Sequence, residues 1–274
     1  MAVIQMNYFS KSLMRTVDVN VILPIDHLDM DTKTYHYKTP FKTLYLLHGI
    51  FGDHNDWMYN TNIKRWANDH NLCVVMPSGE NMFYVDNKIT QKFYGEFVGK
   101  ELVEMTRQSF PLSCKKEDTF IAGLSMGGYG AIINGIKYHE TFGYVAGLSS
   151  ALLIDNWANV IKPLIHSPNV KAYYDTIFED VSHIIGSDQD YHALVLKHQD
   201  HLPHFYLCVG TEDALLPANR DFYQFLKEHH ADVTYSEGPG AHEWDFWNTY
   251  IQKILDWLPL DDHVNDVSSG NVKQ

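Results

Sequence analysis

The chain has 274 residues, 45% of them apolar and 14% aromatic, which is enough to bury a large core in a single domain. Its 34 acidic side chains outnumber its 21 basic ones. The formal charge of −13 argues against a nucleic-acid or anionic-membrane surface, because both need clustered Lys and Arg. Three widely spaced cysteines indicate a reducing compartment. Residues 1–15 contain no basic segment followed by an apolar one, and the sequence has no apolar run of about 18 residues, so we predict a cytoplasmic protein.

The first half of the chain begins with extended runs and then alternates apolar strands with helical patterns. Alternating apolar residues predict a hairpin, continuous apolar runs predict buried strands, and apolar residues at helical spacing predict helices. The predicted elements are an antiparallel hairpin over 4–23, a loop over 26–40, a strand over 43–47, a helix over 55–70, a strand over 72–77 and a helix over 94–105.

The second half repeats this alternation around one interruption. The predicted elements are a strand over 119–124, a helix over 126–139, strands over 144–148 and 204–209, a helix over 219–230, a strand over 233–235 and a helix over 244–258. Parallel strands need crossover connections and are buried on both faces. The pattern therefore predicts an α/β fold with a mostly parallel central sheet, the N-terminal antiparallel hairpin and helices on both faces.

The interruption spans about 152–203 and is rich in aromatic and polar residues without a long apolar run. We interpret it as a small cap-like insertion over the sheet. Residues 261–274 contain almost no apolar side chain and predict a flexible tail. Residues 1–260 are thus expected to form one domain, and a homo-oligomer is compatible with the sequence.

The apolar run ending at Leu124 stops at a serine between small residues. Gly123, Ser125 and Gly127 form the Gly-x-Ser-x-Gly pattern of a sharp strand-to-helix turn that exposes the serine hydroxyl. A five-residue pattern is common by chance, and an ordinary turn is the alternative. If Ser125 is a nucleophile, an acid and then a histidine must follow later strands.

Both partners are present in the required order. Asp213 follows the strand that ends near Val209, and His242 follows the strand over 233–235. The carboxyl ends of parallel strands share one edge of a sheet, where reactive sites of such folds lie. We therefore predict the catalytic residues Ser125, Asp213 and His242, with Glu212 as the fallback acid.

An oxyanion hole should accompany these side chains. One backbone N–H is expected from Met126, directly after the nucleophile, and the other from the loop after the strand over 43–47. In that loop we favour Ile50, with Phe51 second. His48 is expected to hold the loop and to take no part in the chemistry.

Aromatic residues near the strand ends suggest an apolar substrate pocket, although such residues more often belong to the core. The candidate pocket residues are Phe51, Trp57, Trp157 and Tyr173. Histidines at 198, 201 and 204 recur every third residue, but they lack acidic or cysteine companions, and we predict that no metal is needed.

Five separated blocks of the chain, between about residues 2 and 258, resemble the esterase D-like family of α/β-hydrolases, and most closely the small bacterial tributyrin esterases. The blocks are 46–57 (LLHGIFGDHNDW), 77–81 (PSGEN), 123–130 (GLSMGGYG), 210–213 (GTED) and 239–244 (PGAHEW). The resemblance implies an α/β-hydrolase fold and cleavage of acyl esters by Ser125, His242 and Asp213. The insertion after Ser150 contains no motif that matches this family.

The sequence thus predicts a serine carboxylesterase that hydrolyses short-chain acyl esters through an acyl-enzyme, without a cofactor. The resemblance leaves open an S-formylglutathione hydrolase, a carbohydrate O-acetyl esterase, a feruloyl-type esterase or an acyltransferase. A non-catalytic binding relative is the alternative of another class, and the intact Ser, Asp and His set argues against it.

Overall fold

An eight-stranded sheet forms the centre of the protein in the computed structural model, which describes residues 1–29, 31–154 and 170–260; of His36, Val170 and Lys171 only the backbone is described. The strands are β1 (Ala2–Ser10), β2 (Arg15–Leu23), β3 (His27–Leu28), β4 (Tyr35–His36), β5 (Lys42–Leu47), β6 (Leu72–Pro77), β7 (Asp86–Asn87), β8 (Lys92–Phe93), β9 (Thr119–Leu124), β10 (Tyr144–Leu148), β11 (His204–Gly210) and β12 (Val233–Gly238).

The sheet has the strand order β1-β2-β6-β5-β9-β10-β11-β12. Six neighbouring strands of the sheet run parallel, namely β6, β5, β9, β10, β11 and β12, while β2 pairs antiparallel with both β1 and β6. The short strands form two separate antiparallel pairs, β3 with β4 and β7 with β8. This topology confirms the predicted parallel sheet with an N-terminal antiparallel hairpin.

Helices connect the parallel strands and cover both faces of the sheet. They are α1 (Asp56–Asn60), α2 (Ile63–Asp69), α3 (Tyr94–Glu96), α4 (Leu102–Ser109), α5 (Met126–Lys137), α6 (Val170–Phe178), α7 (Tyr191–Lys197), α8 (Leu216–Glu228) and α9 (Trp244–Trp257), with a π-helical turn over Phe97–Glu101 and 3-10 turns over Lys116–Asp118, Val181–His183 and Gln199–His201. The fold is that of an α/β-hydrolase, as the sequence predicts.

Strand β5 packs with its two faces against the two hydrophobic cores, one on each side of the sheet. Leu44 and Leu46 face the core beneath α1, α2 and α9, whereas Tyr45 and Leu47 face the core beneath α4, α5 and α8. Side chains of a strand alternate between faces, so a strand buried on both sides must be apolar throughout. That requirement explains why the central strands were readily predicted.

Two predicted elements differ in detail. The helix expected over 55–70 is two helices, because Thr61 adopts an extended conformation (φ −138°, ψ 171°) and ends α1. The loop expected over 26–40 contains the β3–β4 pair. Within the described part of the insertion, α6 and α7 contribute buried residues to the core on the α5 side. Residues 155–169 and the predicted tail over 261–274 lie outside the described residues.

Candidate active site

Ser125 occupies the turn between β9 and α5. Its backbone has φ 54° and ψ −116°, a strained combination that L-residues rarely adopt. The Ser125 N–H donates to the carbonyl of Leu148 (2.9 Å), and its carbonyl accepts from the N–H of Ala151 (3.0 Å). The turn is therefore fastened to the end of β10 and to the segment that follows it.

The glycines on either side of Ser125 are required by close backbone approaches. A Cβ at Gly123 would lie 2.4 Å from the carbonyl oxygen of Gly127, and a Cβ at Gly127 would lie 2.5 Å from the carbonyl oxygen of Leu47. Any side chain at these positions would force the strand, the turn and the neighbouring strand apart. The pattern Gly-x-Ser-x-Gly thus follows from the packing of the turn.

His242 lies between Ser125 and Asp213. Its Nδ1 is 2.9 Å from Asp213 Oδ2, and its Nε2 is 3.0 Å from Ser125 Oγ. An ionised carboxylate can only accept, so Nδ1 carries the proton and Nε2 accepts the hydrogen bond from the serine hydroxyl. The three side chains that the sequence places at different strand ends are therefore in one hydrogen-bonded line. Glu212, the fallback acid, is exposed.

Two loops bring Asp213 and His242 together. The N–H of Glu212, after β11, donates to the carbonyl of Gly240, after β12 (3.1 Å). Gly210 is so close to this loop that a Cβ would lie 2.1 Å from the same carbonyl oxygen. Gly240 itself has φ 133°, a conformation that side chains rarely adopt. The Gly-rich ends of the two strands permit this contact.

The Asp213 carboxylate is shielded from solvent, whereas the His242 side chain is 38% exposed. Burial raises the pKa of Asp213, but the hydrogen bonds from His242 and from the Leu215 N–H favour the carboxylate, and the pKa is held below its ordinary value of 3.8. The N–H of Leu215 donates to Oδ1 at 2.9 Å. Asp213 is therefore an anion at neutral pH and can stabilise an imidazolium beside it.

The loop between β5 and α1 passes close to Ser125, since a Cβ at Gly49 would lie 3.6 Å from Ser125 Cβ. The N–H of Phe51 donates to the Asn81 side-chain oxygen (2.8 Å) and is thereby occupied. Ile50 is therefore the better candidate of the two for an oxyanion donor. Met126 begins α5, whose N-terminal dipole also favours negative charge at this point.

His48 fixes the start of this loop. Its Nε2 accepts the N–H of Gly79 (2.8 Å), so its Nδ1 carries the proton and donates to the carbonyl of Gly49 (2.7 Å). The ring is 1% exposed, and burial lowers the pKa of His48 from 6.5 to about 4. His48 is thus a neutral cross-link between the β5–α1 loop and the loop after β6, away from the reacting atoms.

The candidate pocket residues occupy different environments. Phe51 is 69% exposed and has φ 70°, so its ring projects from the loop into solvent. Trp57 is 1% exposed, and its indole N–H donates to the carbonyl of Leu47 (2.9 Å), which makes it a core residue with no surface for a substrate. Tyr173 on α6 is partly buried. Trp157 lies outside the described residues.

The histidines that recur after α7 do not converge on one point. His198 and His201 pack against the ring of His139, whereas the His204 side chain pairs with Asp232 (2.6 Å). Among residues 1–29, 31–154 and 170–260 no group of His, Cys, Asp or Glu side chains has the arrangement of a metal site. In the same ranges no helix is long and apolar enough to cross a membrane.

Three residues of this region were missed by sequence reasoning in these roles. Asn81 accepts a hydrogen bond from the Phe51 N–H of the β5–α1 loop, Ser149 accepts one from the indole N–H of Trp247, and Trp247 packs against His242. Ser149 follows β10 directly, and the end of a parallel strand was the one signal that could have identified it. Asn81 and Trp247 carried no such signal.

Comparison with known proteins identifies relatives of the whole chain. The sequence profile of the Esterase family matches residues 10–258. An acetyl esterase from Caldicellulosiruptor saccharolyticus is 42% identical over 261 residues, which cover 94% of this chain and 98% of that protein. Two solved Staphylococcus aureus structures have the same fold, and each comparison covers 94% of this chain and 98% of the other chain. They are the S-formylglutathione hydrolase FrmB (30% identity, TM-score 0.80) and the fluorophosphonate-binding serine hydrolase FphF (29% identity, TM-score 0.81).

Proposed function

The chain belongs to the esterase family and is a carboxylic ester hydrolase, and we propose that it cleaves short-chain acyl esters through a Ser–His–Asp triad. The observation that carries the proposal is the position of His242, within hydrogen-bond distance of Ser125 on one side and Asp213 on the other. A serine hydroxyl needs such a base, and the base needs a carboxylate to fix its tautomer.

The reaction follows from these contacts. His242 Nε2 takes the hydroxyl proton as Ser125 Oγ forms a bond to the ester carbonyl carbon. When the tetrahedral intermediate collapses, the bond to the leaving alcohol breaks, and His242 returns the proton to the alcohol oxygen. Water then attacks the acyl-enzyme by the same two proton transfers and releases the acid. Asp213 remains ionised and stabilises the imidazolium at each stage.

The oxyanion of each intermediate is assigned to the backbone N–H groups of Ile50 and Met126. Support for Ile50 comes from the occupied N–H of Phe51 and from the proximity of the loop to Ser125. Donors of this kind contribute roughly 10² to 10³ in rate. His48 supports them by holding the loop through its hydrogen bonds to Gly49 and Gly79.

The acyl group is assigned to the acetyl to butyryl range because a 42% identical relative is an acetyl esterase. The 30% identity to FrmB favours S-formylglutathione as a second candidate substrate. The exposed ring of Phe51 and the partly buried ring of Tyr173 are proposed to contact the substrate. No side chain of the proposed reaction requires a metal or an organic cofactor.

A substrate panel tests the acyl preference. p-Nitrophenyl acetate, butyrate and octanoate, S-formylglutathione, an acetylated sugar and methyl ferulate are compared by kcat/KM. We expect acetate and butyrate to exceed octanoate by at least about tenfold, since a short pocket rejects extra methylenes. If kcat/KM is higher for S-formylglutathione than for both short esters, S-formylglutathione replaces the short-chain esters as the proposed substrate.

Ser125→Ala tests the nucleophile. We expect kcat to fall by roughly 10⁴ to 10⁶ with an unchanged unfolding midpoint. The matched control is Ser150→Ala, which removes a buried hydroxyl that has no hydrogen-bond partner. A fluorophosphonate should label wild type and the control at Ser125 but leave Ser125→Ala unlabelled. Near-full esterase activity in Ser125→Ala would exclude the proposed triad.

A further inference from the structure

Strand β1 forms one edge of the central sheet. Within residues 1–29, 31–154 and 170–260 it pairs with β2 alone, so the backbone groups on its other side have no strand partner in those ranges. Ile4, Met6 and Tyr8 pack against the core, whereas Val3 and Phe9, on the opposite face of the strand, are 42% and 58% exposed. An open edge of nine residues can accept a further strand.

The two edges of the sheet differ in charge. β1 contains no Asp, Glu, Lys, Arg or His. β12, at the opposite edge, has only six residues and carries Glu237, which forms an ion pair with Arg220 of α8. Asp232, directly before β12, pairs with His204. Charged side chains protect edge strands from pairing with other chains, so β12 is protected in this way and β1 is not.

The net charge of the protein bears on which partner fits the β1 edge. At a formal charge of −13, two copies of the chain repel each other over most approaches. The repulsion is weakest where the facing surfaces carry no charge of their own, and the nine residues of β1 form such a surface. A second copy of this chain can therefore approach through β1.

The sequence of β1 is also complementary to itself. In a symmetric antiparallel pair, each residue faces the residue that lies equally far on the other side of the two-fold axis. With the axis at Met6, apolar residues face apolar residues and the two amides face each other. The facing pairs are Val3 with Phe9, Ile4 with Tyr8 and Gln5 with Asn7.

The neighbouring registers lack this match. An axis at Gln5 would place Val3 opposite Asn7, and an axis at Asn7 would place Gln5 opposite Phe9. Facing residues must also lie on the same face of the sheet, which requires the axis to pass at a residue and not between two residues. Among these three positions, Met6 is thus the one at which residue types agree along the strand.

We propose that β1 pairs antiparallel with β1 of a second copy of this chain, with the two-fold axis at Met6, and so joins the two eight-stranded sheets. About half of the residues of such a strand direct their N–H and C=O outward, so the pair forms roughly eight interchain hydrogen bonds. The contact of Val3 with Phe9 occurs twice. β9, which leads to Ser125, lies four strands from β1, about 19 Å away, so both active sites remain open.

Analytical ultracentrifugation of the full chain between about 1 and 100 µM measures the association. We expect wild type to approach twice the 31.6 kDa mass of one chain. Val3→Glu and Phe9→Lys each place a charge opposite an apolar side chain at two points of the interface, and each should raise the dissociation constant at least about tenfold. The control is Ile89→Lys, because Ile89 is 75% exposed between β7 and β8. It should leave the constant unchanged.

The double variant that combines Val3→Glu with Phe9→Lys tests the register. In the proposed pair the two new charges are opposite in sign and face each other, so association should return. It should weaken again as salt is raised, because exposed ion pairs are screened. Esterase activity per chain should equal that of wild type in every variant, which also shows that each variant is folded.

Hydrogen exchange locates the interface. At a concentration where wild type is dimeric, the amides of residues 2–10 should exchange more slowly than in Val3→Glu, while those of β12 should not differ. A wild type that remains monomeric over the whole range, or a dimer that neither single substitution weakens, would overturn the proposal. A dimer that both single substitutions weaken and the double variant does not restore would contradict the axis at Met6.

Discussion

Replacing His48 by glutamine should remove a large part of the acid sensitivity of the fold. His48 is buried and neutral, with both ring nitrogens committed to the backbone of Gly49 and Gly79. Protonation would place a charge in this buried site and abolish the hydrogen bond accepted by Nε2. Glutamine can still accept from Gly79 through its side-chain oxygen, but it does not titrate.

The magnitude follows from the two protonation states. Burial holds the pKa of His48 at about 4 in the folded protein, against 6.5 ordinarily. Between these values the unfolded chain binds more protons than the folded one, so stability rises with pH and is lost as pH falls from 6.5 towards 4. At about 1.4 kcal/mol per pH unit, the full loss is about 3 kcal/mol, of which about 2 kcal/mol is already lost at pH 5.

Urea unfolding at several pH values between 7.5 and 5 measures the contribution of His48 to the pH dependence of stability. The free energy of unfolding of wild type should fall more steeply than that of His48→Gln, and the difference between the two slopes isolates His48 from the other histidines of the chain. The control is His183→Gln, because His183 is 83% exposed. Its pH dependence should match wild type. Parallel curves for wild type and His48→Gln, separated by a constant offset, would refute the reasoning.

Three further predictions concern the turn and the active-site residues. Asp213→Asn should lower kcat by about 10⁴ without unfolding the protein, since an amide no longer fixes the His242 tautomer; steady-state kinetics and circular dichroism check this. Gly127→Ala should destabilise the fold by about 1–3 kcal/mol, because its Cβ would lie 2.5 Å from the Leu47 carbonyl oxygen, and an unchanged melting temperature would contradict that clash. Asn81→Ala should lower kcat about tenfold by loosening the oxyanion loop, with little change in stability; a wild-type kcat would remove Asn81 from this role.

The architecture was predictable because the sheet is buried on both faces. Strands such as β5 and β6 must then be apolar throughout, and each ends at a conspicuous polar or Gly-rich segment. The order of Ser125, Asp213 and His242 along the chain placed these residues at one edge of the sheet before any distance was known. The distances between these three side chains depend on contacts between backbone atoms of the loops. The only sign of such contacts in the sequence is the glycines that permit them.

Other features were not predictable for identifiable reasons. Trp57 was expected in the pocket, but α1 has only five residues, too few to show by periodicity which side faces the core. The neutral state of His48 depends on burial and on Gly79, a residue 31 positions away. Likewise, Ser149 resembles any serine after a strand until Trp247, nearly 100 residues later in the chain, is placed beside it.

The backbone contacts of Ser125 also bear on whether the insertion could be exchanged. The turn is bonded to Ala151, and the chain rejoins the sheet at His204, whose N–H donates to the carbonyl of Gly143. The two backbone hydrogen bonds that fasten the Ser125 turn to the end of β10 and to Ala151 thus involve residues that precede the insertion. A chimera that takes residues 153–202 from a relative with another acyl preference should keep the Ser125 turn intact and acquire the donor's selectivity.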